Sequence, residues 1–527
     1  MSNLWDGPSS SKRPRQDLST ANATSDEIIA ALDQEDFQQQ DVLDEAAVKK
    51  LVNQLEKKFS KNRELRIKYA DEPQKFLDSE MELNNAIQDV HAIASQLELY
   101  QVFVQLGAVT LLLQLLAHEN NDIVAVVSNL LQELTDLDTL YENEDSAKCL
   151  IDELMNQRII ETIVQQGLKR LNEADKDEED AVHNLLSVVE NLLEFRPETC
   201  KAAIEEGLFN WLLLRATRKG EFNANKNYAS QHLAVILQTS PEARKALVEK
   251  IDGIDLLLRA LAVYKKNDPS TRDEGEHMEN LFDSLCTALL HTPNRTVFLD
   301  NEGLQLLNLM LREKKQSRSG ALKVLSYATA IPDGGPNCDK FIDIYGLRTL
   351  FPMFMRTPDK NKKKDTMPDE HDEHVLSVID ALLFQCSDEN KERVLQKFAE
   401  HEYEKVDRTV ELFLKYKERV DKFTERFKRT AEEDLDPEDL YAEQLNNGLY
   451  TLQRVALILA EVTCKGPEGC DVRASKLLKM KLKSTLSEQI TPILRALHSF
   501  FDEEAANQKT RVEKLILSLE LKSTNSN

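Results

Sequence analysis

The feature that most constrains the fold of this chain is a recurring phrase in which a glycine precedes an aliphatic-rich helix pattern. The glycines of this phrase are separated by 100, 46, 50 and 43 residues, and they are Gly107, Gly207, Gly253, Gly303 and Gly346. The double gap contains the same phrase without its glycine, Gln157-Arg-Ile-Ile-Glu-Thr-Ile. A second aliphatic helix phrase lies between these marks, at 129–131, 191–193, 280–282 and 321–325.

A period of about 40–47 residues with two or three helices in each unit is typical of armadillo and HEAT repeats. A short helix pair cannot bury its apolar face alone, so neighbouring units stack around a continuous core. We therefore predict an all-α fold, a right-handed α-solenoid of armadillo or HEAT type with helical caps at the N- and C-terminal ends. Glycine before the helix is expected to allow a sharp reversal of the chain. The alternative is an irregular all-α domain in which the glycines recur by chance.

The apolar pattern also predicts the organisation along the chain. Residues 1–40 are rich in polar residues and are predicted to be a disordered tail. Residues 41–100 are predicted to form an N-terminal helical cap, 101–400 the repeat solenoid, and 401–527 a C-terminal helical region with a polar tail.

Within the C-terminal region, Val406, Phe413, Val420 and Phe427 recur every seven residues. This spacing allows a coiled-coil seam, but a long helix packed over the end of the solenoid is the favoured interpretation. After an acidic break at 431–440, three more helices are predicted, at 445–464, 474–500 and 511–519.

Charge is distributed unevenly. The chain has a net charge of −25, with 35 acidic and 19 basic residues in 101–310 against 5 acidic and 12 basic residues in 311–364. This balance argues against a surface that binds nucleic-acid backbone along its whole length, because such binding depends on Lys and Arg. It favours a basic partner.

Some of the acidic side chains lie on the second helix phrase, where residues three or four apart share one helix face. In an armadillo array the last helix of each unit lines the concave groove. We therefore predict an acidic groove that binds an extended basic peptide, with carboxylates pairing its Lys and Arg and amides holding its backbone. The alternative is an ordinary solvated helix face. The predicted groove residues are Asn129, Gln132, Glu133, Asp136, Glu190, Asn191, Glu194, Glu279, Asn280 and Asp283.

Three short basic segments stand apart from this acidic background. Lys12, Arg13, Pro14 and Arg15 predict an exposed nuclear-localisation signal in the tail. The segments 312–318 and 360–364 are interpreted as solvated loops, with contact to nucleic acid or to an acidic protein as the alternative.

The sequence contains no catalytic, metal-binding or cofactor-binding signature, so we expect a protein that is not an enzyme and needs no cofactor. His371 and His374 lack further ligands, and an acidic helix start is favoured over a metal site.

Trp211 is predicted to pack in the core. The seven scattered cysteines predict free thiols in a reducing compartment. No apolar stretch reaches about 18 residues and no signal peptide is recognisable, which predicts a soluble intracellular protein without membrane contact.

Several stretches resemble the beta-catenin-like protein 1 family, in order from about residue 43 to about 460. They include Asn62-Arg-Glu-Leu-Arg-Ile-Lys and Met278-Glu-Asn-Leu-Phe-Asp-Ser-Leu-Cys, together with 130–136, 194–198, 252–255, 302–306, 308–315, 321–325 and 405–408. The resemblance implies a nuclear armadillo protein of the spliceosome, in a complex with pre-mRNA-processing factor nineteen and the cell-division-cycle-five-like protein. Members bind basic nuclear-localisation segments of splicing partners and, in vertebrates, activation-induced cytidine deaminase, a partner that nothing in this chain supports.

In that family a basic-Pro-basic signal in the tail corresponds to Lys12, Arg13, Pro14 and Arg15, but the acidic tract that usually follows is short here. Importin-alpha, another armadillo protein, reads basic peptides with a Trp four residues before Asn, where this chain has Ala125, Ser187 and Glu276. We therefore expect a salt-sensitive, carboxylate-dependent site.

The predicted function is a non-enzymatic adaptor for basic segments of splicing proteins in the nucleus. The alternatives are a nuclear-import receptor-like carrier and a direct RNA-binding splicing factor, and a homodimer is left open.

Overall fold

The computed structural model describes residues 43–249, 251–358, 367–430, 437–503 and 505–525. Within these ranges every regular element is a helix and no strand occurs, which confirms the all-α prediction. The predicted tail signal, Lys12, Arg13, Pro14 and Arg15, lies outside the described residues, as does the basic segment 360–364.

The described chain begins with two helices, α1 (Glu45–Lys68) and α2 (Leu77–Val90). Asp44 caps α1, because its Oδ1 accepts a 2.7 Å hydrogen bond from the backbone N of Ala47. Val48, Val52 and Leu55 lie on one face of α1 and are buried.

Six units of three helices follow in the described residues. The first two are α3 (Tyr100–Gln105), α4 (Ala108–Leu116) and α5 (Asn121–Leu134), then, after the one-turn α6 (Leu137–Leu140), α7 (Glu144–Asn156), α8 (Ile159–Thr162) and α9 (Lys176–Phe195). The third and fourth are α10 (Thr199–Glu205), α11 (Leu208–Thr217) and α12 (Ala224–Thr239), then α13 (Pro241–Glu249), α14 (Gly253–Leu261) and α15 (Arg272–Ala288). The fifth and sixth are α16 (Thr292–Asp300), α17 (Gly303–Arg312) and α18 (Ser317–Ala328), then α19 (Gly335–Asp343), α20 (Leu347–Phe354) and α21 (Pro368–Gln385).

The third helices of these units form one continuous row, in which each helix packs against the next. The row runs through α2, α5, α9, α12, α15, α18 and α21, and we call it the inner row. The shorter first and second helices stack behind it. Because α2 packs on α5, the stacking is continuous across residue 100, where the sequence suggested the start of the solenoid.

The recurring glycines stand at the start of the second helices, but for two different reasons. Gly107 and Gly207 have φ angles of 73° and 90°, in the left-handed region that glycine adopts without strain. Arg158 takes the same place before α8 with φ 59°, which explains how the phrase at 157–163 functions without a glycine.

At the later glycines of the phrase, the prediction that glycine is needed for a sharp reversal of the chain is wrong. At Gly303 the left-handed residue is the preceding Glu302. A Cβ on Gly303 would lie 2.3 Å from the ring of Phe298, so glycine is needed there for close packing.

Beyond the six units the chain forms a C-terminal bundle. Its helices are α22 (Asp388–Thr430), α23 (Pro437–Gln444), α24 (Tyr450–Lys465), α25 (Cys470–Leu482), α26 (Leu486–Ser499) and α27 (Ala506–Asn525). α22 is interrupted at 400–403, and the predicted helix at 474–500 is two helices separated at Lys483, whose φ is 54°.

The C-terminal bundle covers the end of the solenoid. Val406, Phe413 and Val420 are buried in the second part of α22, which packs against α24 and α25 and thereby confirms the interpretation of a covering helix. α24 packs on α21 and is itself covered by α22, α26 and α27, so that it is buried on nearly all sides.

A buried charge cluster ties this bundle to the inner row. Asp380 of α21 accepts 2.8 Å hydrogen bonds from Arg454 of α24 and from Arg511 of α27, and Arg511 also donates to Glu461 at 2.8 Å. All four residues are largely withdrawn from solvent, and their formal charges cancel.

The seven cysteines all lie in the described residues and are free thiols. Among the described helices, none is by itself long and apolar enough to cross a membrane. Leu97–Gln105 and Ala108–Leu116 reach that apolar length only together, and they are bent by 82°.

Candidate peptide-binding face

Nine of the ten predicted groove residues lie on helices of the inner row, where polar side chains join one helix to the next. On α5, Glu133 accepts a 2.9 Å hydrogen bond from Asn129, and its other oxygen lies 2.7 Å from Nδ1 of His91 at the end of α2. His91 is the one cationic partner of Glu133 in the described structure, and it is a cation only when protonated. Gln132 is half-buried beside them.

Asp136 does not belong to this face. Helix α5 ends at Leu134, and Asp136 caps the next turn by accepting 3.3 Å hydrogen bonds from the backbone N and the hydroxyl of Thr139. Asp136 therefore does not share the helix face of Asn129 and Glu133, because the spacing rule for a helix face applies only while the helix continues.

The central part of the row carries the strongest arrangement of uncompensated acid. Glu190 of α9 accepts hydrogen bonds from the Tyr228 hydroxyl and, at 3.2 Å, from the Gln231 amide, both on α12. Burial, together with the hydrogen bond to Glu190, raises the pKa of Tyr228, so the tyrosine donates as a neutral group. Glu194, one turn further along α9, is exposed. In the described residues neither glutamate forms an ion pair with Lys or Arg, so the negative charge remains available.

On α15 the predicted face is partly neutralised. Asp283 forms a 2.6 Å ion pair with Lys323 of α18. Burial alone would lower the pKa of Lys323, but its hydrogen bond to Asp283 raises that pKa above the usual value. Glu279 is exposed on the same helix. Of the predicted carboxylates on α15, Asp283 is therefore the one whose charge a lysine of the next inner helix balances.

The asparagines have a different role from the predicted one. Asn191 is buried, and its amide lies 3.5 Å from the Thr135 hydroxyl at the end of α5. The Asn280 amide donates to Asn227 at 3.4 Å and to Ser230 at 3.2 Å, both on α12. These amide N–H groups join neighbouring helices instead of pointing toward a ligand.

Sequence reasoning missed helix α12, whose Tyr228 and Gln231 hold Glu190. This helix lacks the Asn-Leu-Leu phrase of its neighbours. The distance between Asn191 and Asn280, nearly two repeat lengths, was the signal that a further inner helix lies between them.

The other singled-out residues pack in the fold. His371 is buried with Nε2 3.1 Å from the Met353 carbonyl, and His374 Nδ1 lies 3.2 Å from the Ser326 hydroxyl, so the two rings contact different helices. Burial, with Lys323 and His371 nearby, lowers the pKa of His374 to about 4. Trp211 packs against the core and donates to the Leu168 carbonyl at 3.2 Å, which confirms its predicted role.

Six stacked three-helix units with a continuous row of third helices define an armadillo-type α-solenoid. A family model described as "Catenin-beta-like, Arm-motif containing nuclear" matches residues 26–495. The chain belongs to this catenin-beta-like family of armadillo proteins, whose description is nuclear.

Two named relatives, one human and one from fission yeast, support the same assignment. The chain is 48% identical over 448 residues to human beta-catenin-like protein 1, covering 83% of this chain and 79% of the relative. It is 32% identical over 473 residues to the beta-catenin-like protein 1 homolog of Schizosaccharomyces pombe, covering 88% and 80%. A solved structure from a study of the cadherin and beta-catenin interaction is 12% identical, covers 90% of this chain and 86% of that chain, and has a TM-score of 0.49.

Proposed function

We propose that this protein is a non-enzymatic nuclear adaptor whose inner row binds basic, nuclear-localisation-type segments of pre-mRNA splicing proteins. The observation that carries the proposal is the set of glutamates on α5 and α9. Glu133 and Glu190 are oriented by neutral donors or by a histidine, and Glu194 is exposed. A carboxylate fixed in this way keeps its negative charge for an incoming Lys or Arg.

The nuclear and splicing parts of the proposal rest on the family. Its description is nuclear, and the stretches that resemble beta-catenin-like protein 1 imply the spliceosomal complex of pre-mRNA-processing factor nineteen and the cell-division-cycle-five-like protein. Basic localisation segments in splicing proteins supply the charge that the inner row lacks.

The proposal is tested by fluorescence anisotropy with a labelled fifteen-residue peptide that carries two clusters of Lys and Arg. The triple variant Glu133→Gln, Glu190→Gln, Glu194→Gln is expected to bind the peptide at least tenfold more weakly at 0.1 M salt. Raising the salt should weaken binding to the unmodified protein, because the site lacks the tryptophans that would add an uncharged contribution.

The matched control removes the same number of carboxylates from elsewhere. Glu142, Glu205 and Glu221 are exposed and lie off the inner row, and their change to glutamine should alter binding less than twofold. Equal loss in the two triple variants would assign the binding to net charge alone and overturn the groove proposal. In nuclear extract, we expect the unmodified protein and the control variant to recover spliceosomal scaffold proteins. The variant changed at Glu133, Glu190 and Glu194 should not recover them.

A further inference from the structure

Three arginines surround one cavity of about 480 Å³ bordered by α17, α18 and α20. Arg312 ends α17, Arg318 lies in the first turn of α18, and Arg348 lies on α20. The remaining lining residues are Asn308, Leu311, Ile344, Tyr345, Thr349 and Pro352, none of which is acidic. Two of these arginines flank the basic segment 312–318, which the sequence suggested was a solvated loop.

The arginines lack counter-charges. In the described residues none of the three forms an ion pair with a carboxylate, and Nε of Arg318 is buried without a hydrogen-bond partner. Burial lowers the pKa of Arg318, which is half-buried. An unpaired buried donor of this kind is uncommon in folded proteins, and this N–H is available to donate to a bound anion.

The other polar side chains of the cavity already have partners within the protein. The Thr349 hydroxyl donates to Asn308 at 2.7 Å, and the Asn308 amide donates to the Ile344 carbonyl at 3.0 Å. The guanidinium of Arg348 lies 5.1 Å from the ring centre of Tyr345, a cation–π contact that fixes its direction. The three guanidinium groups are therefore the donors left for a bound anion.

The chemistry of the cavity selects one kind of anion. Three positive charges exceed what one carboxylate neutralises, whereas a phosphate ester carries a charge of about −1.5 to −2 and three acceptor oxygens. Clusters of arginine recognise phosphorylated side chains in this way. Leu311, Ile344 and Pro352 add apolar wall for the residues on either side of the phosphate.

The surroundings disfavour a long polyanion. Along α17, about 10 Å from Arg312 at 1.5 Å per residue, Gln305 borders a second cavity lined by Asp300, Glu302, Asp339 and Asp343. A nucleic-acid strand leaving the arginines in this direction meets four carboxylates. We propose that the cavity of Arg312, Arg318 and Arg348 binds a phosphorylated serine or threonine side chain of a partner protein, separately from the basic segments bound by the inner row.

The test uses the full chain and an oriented peptide library with a fixed central phosphoserine. The same library with serine, the same library with glutamate, and a ten-nucleotide single-stranded RNA of mixed sequence serve as the other probes. The phosphoserine library should be retained at least tenfold better than the serine library and better than the glutamate library. Arg318→Met and Arg348→Met should each reduce that retention at least tenfold.

Lys340→Met is the matched control, because Lys340 lines the neighbouring acidic cavity and its change removes the same charge. This control should alter retention of the phosphoserine library less than twofold. The triple variant Glu133→Gln, Glu190→Gln, Glu194→Gln should also alter it less than twofold, because the proposed phosphate site is separate from the groove for basic segments. Arg318→Met should keep or raise the melting temperature, so that lost binding is not lost folding. Equal retention of phosphoserine and serine libraries, or tighter arginine-dependent binding of the RNA, would overturn the proposal.

Discussion

At the scale of single residues, the side chain with the largest consequence is Asp380. Burial alone would raise the pKa of this carboxyl, but Arg511 and Arg454 hold it below its ordinary value. Its charge is balanced inside a cluster that joins α21, α24 and α27. Removing one partner from a buried pair leaves an uncompensated charge, which costs far more than the pair itself contributes.

We therefore expect Asp380→Asn to destabilise the protein by about 3–5 kcal/mol. The reason is that Arg454 and Arg511 would keep their charges without the carboxylate that both contact. Chemical denaturation followed by circular dichroism measures the change. Asp421→Asn, in an exposed pair with Lys417 on α22, should cost no more than about 0.5 kcal/mol. A small effect at Asp380 would mean that water reaches the cluster.

The residue scale also shows what the sequence could and could not predict. Helical spacing alone predicted that Glu133, Glu190 and Glu194 lie on helices of the inner row, since that spacing determines which side chains share a face. The partners of these residues could not be found, because Tyr228 and His91 come from other helices and carry no local signal. Asp380 gave no signal either, since its two arginines lie 74 and 131 residues away.

At the scale of helices, one glycine lets two neighbours of the inner row, α15 and α18, pack closely. A Cβ on Gly320 of α18 would lie 2.3 Å from the ring of Phe282 on α15. Gly275 lies in α15 with nothing within 4 Å of the corresponding position. The two glycines therefore have opposite requirements within the same pair of helices.

Gly320→Ala should destabilise the protein by about 1–3 kcal/mol, because the added methyl forces the Phe282 ring or the helix to move. Gly275→Ala should stabilise it by about 0.4–1 kcal/mol, because alanine restricts the unfolded chain and fits the helix. Thermal and urea denaturation of both variants test the pair. Destabilisation by both substitutions would show that α15 and α18 are packed differently from this description.

The sequence predicted where helices occur more completely than it predicted where each helix begins and ends. The glycine phrase predicted the second helices, yet the predicted helix at 474–500 is divided at Lys483, where φ is 54°. A lysine in the left-handed region has no sequence signature, because tertiary contacts impose that conformation. The same holds for Arg158 and Glu302.

At the scale of the whole molecule, buried histidines are distributed along the solenoid. Burial lowers the pKa of His118, His232 and His371, and it lowers the pKa of His277 and of His374 to about 4. Lys226 near His277 and Lys323 near His374 act in the same direction. The unfolded chain, with histidines near 6.5, therefore binds more protons than the folded one between about pH 4 and 6.5.

Stability is consequently expected to rise with pH through this window and to fall on acidification from pH 7.5 to 5. Urea midpoints at pH 7.5, 6 and 5 measure the slope. His277→Gln and His374→Gln should each reduce the slope of the unfolding free energy against pH by the contribution of up to one bound proton. The reason is that glutamine binds no proton in the folded or in the unfolded chain. His401→Asn, at an exposed position in α22, should leave the slope unchanged. Identical slopes in all three variants would contradict the assignment to buried histidines.

The covering of α24 has a consequence for the length of any bound segment. Because α24 is enclosed by the C-terminal bundle, the seven helices of the inner row, from α2 to α21, remain to form an open face. At about 8–10 Å between packed helices, six intervals span roughly 48–60 Å. An extended chain advances about 3.3–3.6 Å per residue, so this span corresponds to about 13–18 residues. A longer tail must leave the face sideways before α24, and its excess residues would hang free.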